Sequence, residues 1–114
     1  MENEILMVRI YVTEAEHVKR KSLMQEVLRL LHDQHRVQGV TVFRGIAGFG
    51  AKGEFHMGDI LRLNVDLPLV IEFFDEPEVA ESAIKLLDDL VPGGHIVSWR
   101  AFRHGDALLN PRAP

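Results

Sequence analysis

The sequence predicts an α+β sandwich in which two helices cover one face of an antiparallel four-stranded sheet. Three observations carry this prediction: four apolar runs of strand length, two segments with helical apolar stripes, and the order β-α-β-β-α-β. Right-handed crossovers place both helices on the same face of such a sheet. The 114 residues suffice for one domain, residues 1–114, whose core needs no metal or disulfide to hold it.

The first half of the chain reads as strand, helix, strand. Ile5 to Val12 is a β-rich run that predicts the first strand. Ser22 opens a helix, because Ser22 and Gln25 have the spacing of a capping box, which satisfies free N–H groups at a helix start. The apolar stripe of this helix consists of Leu23, Val27, Leu30 and Leu31. Val40 to Ile46 predicts the second strand.

The second half repeats the unit in the order strand, helix, strand. Leu67 to Phe74 predicts a strand with Pro68 confined to its start, and Asp75-Glu76-Pro77 opens a helix. Pro92-Gly93-Gly94 predicts a turn, and His95 to Arg103 the last strand. The stripe of the second helix consists of Ala80, Ala83, Ile84 and Leu87. The complete order is that of the split βαβ, ferredoxin-like layout.

Composition excludes several function classes. The net charge is −4, which argues against broad attraction to nucleic acid or anionic lipid. The absence of cysteine excludes thiol catalysis and Cys-type zinc sites. No apolar run reaches the ~18 residues needed to span a membrane, and no signal peptide is recognisable. We therefore expect a cytoplasmic protein without membrane insertion.

Both faces of the predicted sheet are apolar. One face of the first strand carries Leu6, Val8, Ile10 and Val12, and the other Ile5, Met7 and Tyr11. The third strand likewise sets Leu69, Ile71 and Phe73 against Val70 and Phe74. Helices cover only one face, so the other needs a second cover. We expect that cover to be another copy of the chain, with tolerated exposed apolar residues as the alternative.

The segment Gly45 to Gly53 (GIAGFGAKG) is the expected functional centre. It has too many glycines for an ordinary strand or helix interior. Gly48 to Gly53 matches G-x-G-x-x-G, but no helix follows the glycines, so a dinucleotide fingerprint is not expected. Glycines still let the backbone approach an anion closely, and Arg44 and Lys52 flank the segment with positive charge. We favour a ligand site here over a plain turn.

The remaining polar residues do not indicate an enzyme. Six histidines are scattered along the chain, and no serine or histidine has a paired nucleophile or base, so no catalytic residue is assigned. His32 and His35 share a helix face, but no third ligand accompanies them. We therefore favour solvated helix-end histidines over a metal pair, and no metal is expected.

Two stretches carry a resemblance to a known family. They are V-T-V-F-R-G-I-A-G-F-G-A-K-G (Val40 to Gly53) and L-P-L-V-I-E (Leu67 to Glu72). Together they resemble the DUF190 family, a group with the fold of the PII nitrogen regulatory proteins, over nearly the whole chain. The resemblance implies a trimer that binds ATP or ADP between subunits and docks on partners through a long T-loop. That loop would occupy about residues 48–66, and residues 107–114 would form a loose tail.

The residues and the resemblance together give a candidate site. Its ligand contacts would be Arg44, Gly48, Phe49, Gly50, Lys52, Gly53, Gly94, His95 and Arg103. The partner-docking loop would begin with Glu54, Phe55, His56 and Met57. Three departures weaken the phosphate grip: His95 replaces a lysine, Ala101 an arginine and Ala51 a glutamine of the PII pattern. The ligand therefore stays open between a nucleotide and another small anionic metabolite.

The favoured hypothesis is a PII-like signalling protein, a homotrimer that binds its ligand at intersubunit clefts and regulates a partner through the T-loop. The resemblance points to a membrane transporter or channel as that partner. One alternative is a metal-binding, ion-tolerance protein of the PII-like copper-tolerance type, for which the histidines are the only support. The other is a trimer that docks on its partner without any ligand.

Overall fold

The computed structural model describes residues 3–35, 37–49, 55–57 and 66–105. The strands in these ranges are β1 (Asn3–Thr13), β2 (His17–Val18), β3 (Lys21–Ser22), β4 (Val40–Arg44), β5 (Ala47–Phe49), β6 (Phe55–Met57), β7 (Pro68–Asp75) and β8 (Ile96–Arg103). The main sheet has the order β4-β7-β1-β8, and all its neighbours are antiparallel. The predicted fold class is confirmed, with β4 and β8 as the outer strands.

Two helices connect the strands of the main sheet. Helix α1 spans Leu23–Leu30 and continues as a π-helical turn over Leu31–His35. The Ser22 hydroxyl accepts a hydrogen bond from the Gln25 N–H at 3.3 Å, which confirms the predicted cap. Helix α2 spans Pro77–Leu87, with proline in its first turn, where its missing N–H has no partner to lose.

The core lies between the helices and one face of the sheet. Its buried side chains alternate along β1 and β7, as the predicted stripes require: Leu6, Val8, Ile10 and Val12 on β1, and Leu69, Ile71 and Phe73 on β7. The helices contribute Leu23, Val27, Leu31, Ala80, Ala83 and Leu87. Burying a side chain of valine to phenylalanine size stabilises the fold by about 1.5–3 kcal/mol, so this face drives folding.

The opposite face of the sheet, here called the open face, has no helix over it. Strand register places Phe43, Val70 and Tyr11 in one row across it and Phe74, Met7 and Trp99 in another. Phe43 keeps 50% of its surface exposed, and Tyr11, Val97 and Trp99 are exposed to a similar degree. The prediction of a second apolar face is confirmed for the single chain.

An ion pair lies between the two apolar rows of the open face. Arg9 donates from Nε to Glu72 Oε2 at 3.0 Å, and its guanidinium lies 5.4 Å from the centre of the Trp99 ring. Hydrogen bonds to Glu72 and Tyr11 raise the pKa of Arg9 above its ordinary value. The charge is therefore matched before anything covers this face.

Two short hairpins depart from the sequence-based expectations. The predicted strand Val40 to Ile46 ends at Arg44. The glycine-rich segment forms β5, which pairs with β6, a strand within the predicted T-loop of about residues 48–66. A strand pair needs only backbone N–H and C=O groups, so glycine content did not prevent it. The second hairpin, β2–β3, turns at Lys19 and Arg20, both with positive φ (50° and 71°). Residues other than glycine rarely adopt a positive φ.

Candidate functional site

The glycine-rich segment leaves β4 through a close contact with the start of β7. Gly45 donates its N–H to the Pro68 carbonyl at 2.7 Å, and a Cβ on Gly45 would come within 2.8 Å of Pro68 Cγ. Only glycine fits this approach without displacing the proline ring. The contact therefore fixes the direction in which β5 leaves the sheet.

Arg44 ends β4 and is held by an acid that the sequence reasoning did not select. Its Nη2 donates to Glu14 Oε1 at 3.2 Å, and Glu14 Oε1 also accepts the Leu67 N–H at 3.3 Å. The hydrogen bond to Glu14 raises the pKa of Arg44 above its ordinary value. Arg44 is placed at the predicted site, but Glu14 already balances its charge. Glu14 lies two residues beyond the first predicted strand, and its pairing with Arg44 depends on the register of the sheet.

The β5–β6 hairpin carries part of the predicted site. Gly48 pairs with His56 and Phe49 with Phe55 in its register. Ile46 and Phe49 are 85% and 66% exposed. The predicted contacts Gly50, Lys52, Gly53 and Glu54 lie outside the described residues, as does the supposed tail over residues 107–114, and nothing further is derived from them.

His95 lies beside the end of β1. The turn that delivers it uses Gly94 at φ +87°, a backbone that side chains rarely adopt. His95 Nδ1 lies 2.9 Å from the Tyr11 carbonyl oxygen. Because a carbonyl can only accept, Nδ1 carries the hydrogen, and neutral His95 keeps an acceptor at Nε2. A second donor for an anion appears there only when the ring is protonated.

Arg103 lies at the other end of β8. Its partner in the sheet register is Asn3, at the start of β1. Its Nη1 donates to Gln38 Oε1 at 2.7 Å, and its guanidinium lies 5.4 Å from the centre of the Phe74 ring. Gln38 is held in turn, since its N–H donates to buried Asp75 at 3.2 Å. Arg103 is thus a supported cation that faces the open side of the sheet.

Within one chain these residues do not meet. His95 contacts Tyr11 and Arg103 pairs with Asn3, so eight residues of β1 separate them, about 26 Å at ~3.3 Å per residue. Arg44 is at the same end of the sheet as His95 but on the opposite outer strand. Three strand intervals correspond to about 14 Å. The predicted ligand contacts that the structure describes therefore occupy three separate places on the two outer edges.

Two features, a cluster of possible metal ligands and a membrane-spanning helix, are absent from the described residues. Within the described ranges, no three histidine, aspartate or glutamate side chains are grouped so that they could hold a metal ion. None of the helices in the same ranges has an apolar stretch long enough to cross a bilayer.

The chain is similar to proteins of archaea and bacteria. It is 27% identical over 89 residues to a UPF0166 protein of Methanocaldococcus jannaschii, a match that covers 78% of this chain and 81% of that one. A UPF0166 protein of Aquifex aeolicus is 32% identical over 89 residues, with 78% and 80% covered. A further Aquifex aeolicus protein of that description is 37% identical over 75 residues, with 66% and 70% covered.

Solved structures resemble the fold at low sequence identity. The structure of CPII bound to ADP and bicarbonate from Thiomonas intermedia has a TM-score of 0.59 at 15% identity and covers 90% of this chain and 91% of its own. The divalent ion tolerance protein CutA1 from Ehrlichia chaffeensis has a TM-score of 0.58 at 11% identity, with 94% and 87% covered. Both show a shared PII-like fold.

The match to a family is more specific than the match to a fold. The DUF190 family, described as "Uncharacterized ACR", matches residues 5–102, which include Arg44, the β5–β6 hairpin and His95. The resemblance in the sequence of Val40 to Gly53 is thereby confirmed. The chain belongs to the DUF190 family.

Proposed function

We propose that this chain is a non-catalytic, PII-like regulatory module that assembles as a homotrimer and binds a small anionic ligand at the boundaries between chains. The observation that carries the proposal is the separation of the candidate contacts. Arg44 and the β5–β6 hairpin belong to one outer edge of the sheet, and His95 and Arg103 to opposite ends of the other. Where the sheet edges of two neighbouring chains meet, candidate ligand contacts that lie far apart within one chain would come close together.

The open face supports association of this kind. It exposes Tyr11, Phe43, Val97 and Trp99 on a surface that no helix covers. Exposed apolar area of this kind, with aromatic side chains and a matched ion pair, is typical of surfaces that bind another protein. A cyclic homo-oligomer would cover it and bring the outer edges of neighbouring chains together.

The chemistry of the edges favours an anion. Arg103 has no carboxylate hydrogen-bond partner among the described residues, since its Nη1 donates to the neutral amide of Gln38. His95 adds a second donor when protonated. The similar CPII structure holds ADP and bicarbonate, both of them anions. The same two ligands, together with ATP and phosphate, are therefore the ones to titrate against this chain.

Regulation of a partner would use the β5–β6 hairpin. Ile46 and Phe49 are large, exposed apolar residues, the first just before β5 and the second at its end. A ligand bound near Gly48 would order this segment and so change the surface offered to a partner. A membrane transporter or channel is the class to test first, by pull-down with and without ligand. Loss of capture in Phe49→Ser with ligand binding intact supports the proposal.

The composite site is tested by complementation between two defective variants. Arg103→Ala and His95→Ala should each abolish anion binding in titration calorimetry. If the two residues act from different chains, unfolding and co-refolding an equal mixture should restore binding at about one quarter of the boundaries. Sedimentation equilibrium on wild type, each variant and the mixture checks that all form the same assembly.

The controls separate the alternatives. A site within one chain predicts no recovery in the mixture, because no chain then carries both side chains. A docking trimer without a ligand predicts that no anion of the panel binds to wild type. Either result, or a monomer at micromolar concentration, contradicts the proposal. His95→Lys should bind phosphate-bearing ligands more tightly than wild type at pH 8, since lysine keeps its charge there.

A further inference from the structure

The outer surface of the helical layer carries a groove that the proposed site does not use. It runs between α1, with its π-helical extension, and the residues that follow α2, and its volume is about 360 Å³. Volumes of this size are at the lower end of those that hold small molecules. Eight residues line this helix groove: the apolar Leu30, Leu86 and Leu90, the acidic Glu26, Asp33 and Asp89, and Arg29 and Gln34.

The charge of the helix groove is negative. One cation, Arg29, also lines it, but its Nη2 donates to Glu26 Oε1 at 2.7 Å. This hydrogen bond raises the pKa of Arg29 and lowers that of Glu26, so the two charges balance each other. Asp33 and Asp89 are then the acids available to a ligand. Arg29 also interacts with the charge of Asp33, but neither acid forms a salt bridge with lysine or arginine among the described side chains.

Both acids occupy positions that helix electrostatics disfavours. Asp33 lies in the last turn that continues α1, and Asp89 follows the last residue of α2, Leu87, by two positions. The carboxyl end of a helix carries partial negative charge, so an acid there is electrostatically unfavourable. Two acids of this kind beside one groove favour a bound positive charge. The Asp33 Oδ1 atom lies 2.9 Å from Nδ1 of the neighbouring His32, and both side chains are exposed to solvent.

The apolar part of the groove narrows the choice of cation. Leu86 is 39% exposed, and half-buried Leu30 and Leu90 pack against the core beside it. A bare metal ion would leave these leucines in contact with water. A molecule with methylene groups between two ammonium groups would cover the leucines and reach acids on both helices. We propose that the helix groove binds an aliphatic diamine or polyamine, with ammonium groups at Asp33 and Asp89 and methylenes on Leu30, Leu86 and Leu90.

The groove stays accessible in the proposed assembly. It lies on the outer side of the helices, whereas the open face is on the far side of the sheet. Binding there is therefore independent of the anion site and of the composite-site hypothesis. A failure of one leaves the other standing.

The test is a titration of the ¹⁵N,¹³C-methyl-labelled protein with putrescine and spermidine at physiological ionic strength. Saturable shifts should be confined to residues 26–34 and 86–90. Asp33→Asn and Asp89→Asn should each weaken binding about two- to fivefold, and the double variant should lose saturation. Neither change threatens folding, because each removes an acid from an unfavourable helix end.

Asp88→Asn is the matched control, because Asp88 is at the same end of α2 but does not line the groove. It should leave the affinity for spermidine nearly unchanged. Leu86→Ser should weaken spermidine more than it weakens Mg²⁺. Equal effects of Asp88→Asn and Asp89→Asn, shifts that Mg²⁺ at equal ionic strength reproduces, or shifts spread over all surface acids would overturn the proposal. So would binding of a lysine-rich peptide without binding of either amine.

Discussion

The two faces of the main sheet are built from alternate residues of the same strands, yet they differ in chemistry. On the helix side, Ile10 and Phe73 are almost fully buried in an apolar core, and among the described residues Asp75, at the end of β7, is the one buried charged residue. On the open side, their neighbours Tyr11 and Glu72 belong to a surface where aromatic rings flank an ion pair. Folding of one chain needs the first face alone. The second face is the one whose composition requires an explanation beyond folding.

The largest expected effect breaks the helix-side core. Phe73→Ala should reduce the free energy of unfolding by about 3–5 kcal/mol, because it removes a buried ring and leaves a cavity. Phe74→Ala, at the next residue of the chain and on the open face, should reduce it by only about 1 kcal/mol, since this side chain is only partly buried. Urea unfolding at two protein concentrations measures both. The effect of Phe73→Ala should not depend on protein concentration. Equal losses of unfolding free energy in the two variants would contradict the view that the helix-side face alone stabilises the single chain.

The next effect concerns assembly. Trp99→Glu should weaken self-association at least about a hundredfold, because it sets a charge into an apolar contact. Leu86→Glu is its control: Trp99 and Leu86 are 40% and 39% exposed, but on opposite sides of the molecule. Sedimentation equilibrium should show a monomer for the first and wild-type assembly for the second. An assembly insensitive to Trp99→Glu would mean that the open face is not the contact surface.

A smaller effect compares two ion pairs. A double-mutant cycle on Arg9 and Glu72 should give a measurable favourable coupling energy, because the pair is partly shielded on the open face. The pair of Arg100 and Glu4, at 2.8 Å, is more exposed on both sides and should give almost none. Chemical denaturation of the four variants of each cycle measures the difference. Equal coupling in both pairs would show that the open face gives Arg9 no special environment.

The smallest effect is a pH dependence on the outer side of the helices. The hydrogen bond from Arg29 lowers the pKa of Glu26 below its ordinary value of 4.5. The contribution of this hydrogen bond to the free energy of unfolding is therefore fully present above pH 4.5. It is lost as the pH falls through the lower pKa that Glu26 has in the folded state. Glu26→Gln should be less stable than wild type at pH 7 and equally stable at pH 2. A difference that persists at pH 2 would point to packing instead.

Much of the fold could be predicted because side-chain period and burial are local properties. The alternation in Ile5 to Val12 and the capping box at Ser22 each specify an element without reference to the rest of the chain. The pairing of Ala47–Phe49 with Phe55–Met57 was not predictable in this way, because backbone hydrogen bonds leave little trace in a glycine-rich composition.

The candidate site was harder to predict, since its members meet only through strand direction and neighbouring edges. The motif pattern selected both His95 and Arg103 but could not say that one strand holds them at opposite ends. It also missed Glu14, which balances Arg44, because charge balance depends on register across β4, β7 and β1. The sequence motif thus identified the candidate residues, and only the topology of the sheet showed where they lie relative to one another.

The two outer strands have a further consequence for the newly made chain. β8 is an eight-residue strand without proline, and within the described part of the chain one of its edges has no strand beside it. An open edge of this length is a template for any other extended peptide. In a newly synthesised chain, joining the proposed homotrimer would therefore compete with aggregation. If the chain assembles as proposed, faster assembly should reduce the share of new chains that aggregate.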